Sequence, residues 1–143
     1  SKLSSTQLNE MDQMIVDHAI IKQSGSDTDI TIMDSTIAGA YDSALSDRPF
    51  SENRSYSGKT HIKFHGALKK GNMDIYIGKD MLTLMHAGLG AKGLVMIIVK
   101  AAGDDYIGAA KSLASAIQQT VKAGNVKTGV HFTIRHWTSI KKS

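Results

Sequence analysis

Residues 86–103 read HAGLGAKGLVMIIVKAAG, and the state of the apolar run inside them, Leu94 to Lys100, decides what the rest of the chain packs against. A continuous apolar run bounded by glycines is the pattern of a strand buried on both faces, so residues 94–100 read as a central strand. Upstream, Lys79 to Ala87 reads as a short helix that Gly88 ends in a left-handed conformation, and Gly90 and Gly93 then shape the turn into the strand.

Downstream of that run the signals are clear. From Asp104 to Ala123, Ile107, Ala110, Leu113, Ala114, Ile117 and Val121 recur at helical spacing. Asp104 and Asp105 sit at the positive end of the helix dipole, and Gly124 follows at the C′ position. Lys127 to Trp137 then alternates as a strand, with Val130, Phe132, Ile134 and His136 on one side and His131, Thr133, Arg135 and Trp137 on the other. Lys141 and Lys142 read as a frayed basic tail.

Upstream, Ser4 and Gln7 have capping-box spacing, and Leu8, Met11, Met14, Ile15 and Ala19 continue as one stripe, which predicts a helix over 5–22. The β-branched residues around Met14 to Ile21 leave a strand there as the alternative. Thr28 to Met33 reads as a strand, and Ser35 to Leu45 as a helix capped by Asp34 or Ser35. Ser46 to Gly58 is a polar loop with the single proline of the chain. Thr60 to Leu68 and Met73 to Ile77 form a hairpin whose turn holds Gly71. Strands and helices that mix without strict alternation predict one α+β domain, a mostly antiparallel sheet of about five strands with two or three helices on one face.

A chain of 143 residues, 41% hydrophobic, is long enough to bury a core without staples, and having no cysteine it has no thiol chemistry. No apolar run approaches the roughly 20 residues that span a bilayer, and the first residues lack the apolar centre of a signal peptide, so an intracellular protein is the expectation. Charge is unevenly distributed. Residues 1–53 carry three basic residues against nine acidic ones, a net of −6, and residues 54–143 carry fourteen against four, a net of +10. The basic segment is expected to attract an anionic partner.

Gly88-Leu-Gly90-Ala-Lys-Gly93 has the glycine spacing of a dinucleotide-binding loop. That loop needs a strand before it and a helix after it, because the pyrophosphate sits on the free N–H groups of the helix's first turn. The order read above is the reverse and argues against it. An anion-binding concavity of backbone N–H groups beside Lys92 is the remaining reading.

Histidines supply the other chemical lead. Alternation puts His61, Lys63 and His65 on one strand face and His131, Thr133 and Arg135 on another. Brought together, they would offer a general base, a general acid and cations to a phosphodiester, with His131 and His61 catalytic and Thr133 and Lys63 holding phosphate. His131-Phe-Thr-Ile134 resembles one half of the two-histidine phosphoesterase signature, in which His-x-Thr strands present imidazole and hydroxyl to a phosphate. His61-Ile-Lys63-Phe departs from the other half by a lysine in place of the hydroxyl. That resemblance implies phosphodiester hydrolysis as the alternative activity.

The leading expectation is a non-enzymatic module. Lys59, Lys63, Lys69, Lys70, Lys92, Arg135, Lys141 and Lys142 would track phosphates and Trp137 would stack on a base, so nucleic acid, RNA included, is the first partner. An anionic membrane surface, or copies of the chain in a self-assembling structural protein, are the alternatives. No cofactor and no metal are expected.

Overall fold

Ser4 caps the first helix as its spacing with Gln7 predicts. The Gln7 backbone N–H donates to Ser4 Oγ at 3.2 Å, and the Ser4 N–H donates to Gln7 Oε1 at 2.8 Å. Helix α1 spans Ser5–Asp17 and buries Met11, Ile15 and Val16. It stops short of the predicted residue 22, because Ile20 and Ile21 leave the helix for strand β1 (Ile20–Ser24), which turns at Gly25 into β2 (Asp27–Met33). The strand alternative over Met14 to Ile21 holds only for its last two residues, since Met14 to Asp17 stay in the helix.

Helix α2 (Asp34–Ser46) follows β2 directly. Its N-cap is Met33, with no side-chain cap, so Asp34 lies in the first turn instead of capping it. The polar loop 47–58 lies against α2. The Asn53 N–H donates to the Ser35 carbonyl at 2.9 Å, its side-chain amide donates to Asp42 at 3.1 Å, and Ser43 Oγ donates to the Arg48 carbonyl. Strands β3 (Lys59–Phe64) and β4 (Met73–Ile77) form the predicted hairpin, with a 3₁₀ turn at Leu68–Lys70 and Gly71 left-handed at φ 66°.

Helix α3 (Lys79–His86) is followed not by a central strand but by helix α4 (Ala91–Ala102), which overturns the reading of 94–100. Leu94, Ile97 and Ile98 are buried at i, i+3 and i+4, while Val95, Met96 and Val99 are partly buried against the core. An apolar run without a polar face hides its period, and its seven residues are part of a twelve-residue helix that also takes in residues 91–93 and 101–102. Gly88 is left-handed as expected (φ 83°), but left-handed Gly90 starts a helix, and Gly93 lies inside its first turn.

A 3₁₀ turn at Asp104–Tyr106 leads into α5 (Ile107–Ala123), which buries Ala110, Leu113, Ala114, Ile117 and Val121. Gly124 keeps right-handed geometry, and Asn125 takes the left-handed position (φ 49°). Strand β5 (Val130–Arg135) turns through His136 and Trp137, both at positive φ, into β6 (Ser139–Lys142). The basic tail is thus a sheet-edge strand, not a frayed end.

These elements make an α+β fold. The six strands pair antiparallel in chain order β1-β2-β3-β4-β5-β6, one more than predicted, and there are five α-helices where two or three were expected. The computed structural model describes residues 3–143, so Ser1 and Lys2, the latter one of the basic residues of the acidic segment, lie outside the described residues. One sheet face, with Ile30, Ile32, Ile62, Phe64, Ile75, Phe132 and Ile134 all fully buried, shares a single core with the helices. Neighbouring helices follow the circuit α1, α4, α5, α3, α2 and back to α1. Among the described residues no helix is long and apolar enough to cross a membrane.

Candidate functional site

The other face of the sheet meets solvent, and strand register fixes what it displays, because directly opposed residues on antiparallel strands project to the same side. One row runs Ile20, Thr31, His61, Tyr76, His131. The next runs Lys22, Asp29, Lys63, Asp74, Thr133, Lys141. Arg135 shares this face beyond Thr133, and Lys59 shares it beyond His61.

Asp74 is the hub. Its Oδ2 accepts from His65 Nε2 at 2.5 Å, and its Oδ1 accepts from His131 Nε2 at 3.2 Å and from Thr133 Oγ1 at 3.3 Å. An ionised carboxylate only accepts, so both imidazoles carry hydrogen on Nε2. In the neutral ring His131 Nδ1 is then an acceptor, and Ser143 Oγ lies 2.8 Å from it. Burial pushes the Asp74 carboxyl up, but the His65 hydrogen bond and charge, then His131 and Thr133, outweigh it and hold the group below its ordinary value.

A lowered carboxyl contributes stability above its ordinary value of 3.8, and that stability is lost as pH falls through the folded-state value. Asp74→Asn is therefore expected to flatten the acid limb of the stability curve, measured by urea denaturation from neutral pH downward. Identical acid limbs in the two proteins would contradict the hub.

The structure brings some predicted residues together and separates others. His61 and His131 share the open face, but β4 lies between their strands and Tyr76 between the two histidines. Each Nε2 is engaged by a different carboxylate, His61 by Asp29 at 3.2 Å and His131 by Asp74. Lys63 stands between Asp29 and Asp74 in register. Lys69 and Lys70 are exposed at the β3–β4 tip. Lys142 opposes Phe132, on the core side of the edge strand.

Lys92 is on α4, away from the sheet, with its ammonium 2.5 Å from Asn9 Oδ1. A helix does leave the glycine loop there, contrary to the sequence reading, but α3 and not a strand enters it, so the dinucleotide pattern still fails.

Trp137 does not continue the alternation of β5. Its positive φ swings the indole over Gly71, where it stacks on Tyr106 with ring centres 5.2 Å apart and donates Nε1–H to the Lys69 carbonyl at 3.1 Å. It closes an end of the core instead of standing on the basic face. The exposed aromatic of the sheet is Tyr76, 42% exposed, with its hydroxyl end against Gly129. Sequence reasoning passed over both Tyr76 and Asp74, although the alternation of Met73-Asp-Ile-Tyr-Ile77 was the signal that puts them outward. The described residues hold no group of three or more His, Asp or Glu placed to share a metal ion. Comparison with protein-family models, with curated proteins and with solved structures finds no match to this chain.

Proposed function

We propose that this domain is a non-enzymatic binding module that takes single-stranded nucleic acid on the open face of its sheet. The observation that carries this reading is Tyr76, exposed at mid-sheet between His61 and His131, with Lys59, Lys63, Arg135 and Lys141 on the same face. Single strands are held by aromatic platforms on which bases stack and by cations that follow the phosphates. Six strands give a platform about 24 Å wide at the usual inter-strand spacing.

Charge limits the strength of this binding. Lys22, Lys59, Lys63, Arg135 and Lys141 share the face with Asp27, Asp29 and Asp74, so the cations are partly neutralised by carboxylates, two of them from the acidic segment. With roughly three phosphates neutralised, the slope of log affinity against log salt is about −2 for a single strand. An oligo-uridine titration across a salt series tests this. Tyr76→Ala is expected to weaken binding about tenfold at every salt concentration, as loss of one stacking platform does. Lys63→Ala is expected to make the slope shallower by about 0.7. A flat salt response, or full affinity in Tyr76→Ala, overturns the reading. Binding to anionic vesicles that ignores Tyr76 would point to a membrane surface instead.

A second reading has one observation in its favour, the hydrogen-bonded chain from Ser143 through His131 to Asp74. Phosphodiester hydrolysis through His131 and His61 requires both imidazoles to converge on one phosphate, and here Asp29 and Asp74 occupy the Nε2 positions it would need. Turnover of a cyclic phosphate that vanishes in His131→Ala would restore this reading.

A further inference from the structure

On the helical side, a cleft of about 350 Å³ opens between α2, α3 and the 47–58 loop. Ile37, Leu84 and Leu89 give it apolar walls, and Tyr41 and Tyr56 add two phenol rings. Its charged lining groups are Asp80 and Asp42, and among the described residues no lysine, arginine or histidine lines it. Asp42 accepts from the Asn53 side-chain amide at 3.1 Å.

Asp80, in the first turn of α3, has an oxygen buried with no hydrogen-bond partner. Asp34, only 4% exposed, likewise has a buried oxygen without a partner, and its charge interacts with that of Asp80. Lys79 is the nearby cation, but it is exposed and forms no ion pair with Asp80 among the described residues. A carboxylate oxygen without a donor is costly, and Asp80, partly exposed and in no ion pair among the described residues, lines a space large enough for a small ligand.

We infer that this cleft is a binding site for a small organic cation, a primary ammonium group carried on an apolar or aromatic body. The ammonium supplies donors and a counter-charge to the Asp80 and Asp42 carboxylates that line the cleft. The tyrosine rings attract the cation through their faces, and Ile37, Leu84 and Leu89 take up the apolar part. Anionic ligands are rejected by Asp42 and Asp80. The site is separate from the sheet face and does not depend on nucleic-acid binding there.

The test is an NMR titration of the full chain with 2-phenylethylammonium, its neutral isostere 2-phenylethanol and the anion 3-phenylpropionate. The ammonium is expected to shift the backbone amides of Ala38, Thr83 and Ala87 and to bind about tenfold more tightly than the alcohol, with no binding of the anion. Asp80→Asn removes an unpaired charge and is expected to fold. In that variant the ammonium falls to the affinity of the alcohol, which itself is unchanged. Leu84→Ala is expected to weaken both ligands. Equal affinity of ammonium and alcohol in the native chain, shifts confined to other surfaces, no binding by either, or an Asp80→Asn variant that keeps its preference for the ammonium would each overturn the assignment.

Discussion

Asp34→Asn is expected to stabilise the protein by about 2 kcal/mol at pH 8 and by far less at pH 4. Asp34 is buried in the first turn of α2, where Gly58 and Gly78 leave room for its carboxylate; a Cβ on Gly58 would lie 2.4 Å from Asp34 Oδ2. Burial first, and then repulsion from Asp80, push its carboxyl up from 3.8 to about 6. Between those values the folded chain binds more protons than the unfolded chain, so stability falls as pH rises through that window, and the whole loss is in place above it. A shift of that size corresponds to about 3 kcal/mol. The amide that replaces the carboxylate brings its own burial cost of about 1 kcal/mol, which leaves the net figure. Chemical denaturation of both proteins at the two pH values checks it. An Asp34→Asn variant less stable than the native chain at pH 8 would mean that the carboxylate is satisfied after all.

Asp34 and Asp74 illustrate what could be read from the chain and what could not. Each is one acid in an otherwise apolar or β-branched stretch, and although alternation turns Asp74 outward and Asp34 stands at a helix start, nothing local names the groups they meet. Asp74 meets His131 only because β4 and β5 pair in one register, the two residues being 57 positions apart, whereas Asp34 is isolated by backbone from two other connections. Properties carried by local periodicity were legible: the capping box at Ser4, the stripe of α5, the alternation of β3 and β5, and through them the α+β antiparallel class.

Local periodicity also failed where one element ended without a marker. His136 and Trp137 continue the alternation of β5 in sequence, but their positive φ makes them a turn, so the indole goes to the core and not to the cationic face. Charge segregation along the chain was real but did not survive folding. The β2–β3 pairing sets Asp29 directly against Lys63, which places the acidic and basic segments side by side on one surface.

Gly39→Ala is expected to destabilise the protein by about 2 kcal/mol, although the same change in the interior of an unobstructed helix stabilises by about 1 kcal/mol. Gly39 is buried in α2 at the place where the 47–58 loop crosses it. A Cβ there would stand 2.1 Å from the Ser51 carbonyl oxygen and 3.0 Å from Glu52 Cα, both of them backbone atoms that cannot rotate away. The loop has to lift, and lifting it strains the bonds from Asn53 to Ser35 and Asp42 and from Ser43 to Arg48. Overpacking costs about 1–3 kcal/mol and each buried polar group left unpaired about as much again, so together they exceed the propensity gain.

Gly108, near the start of α5, is the control. A Cβ there meets nothing within 4 Å, so Gly108→Ala is expected to stabilise by about 0.5 kcal/mol. Thermal denaturation of the two variants should therefore move the midpoint in opposite directions, and a Gly39→Ala variant that gains as Gly108→Ala does would show that the loop does not rest on α2. The same displacement would move Tyr56, which the loop contributes to the cleft beside α3, so the Gly39 variant is also expected to bind 2-phenylethylammonium more weakly while Gly108→Ala leaves that affinity unchanged.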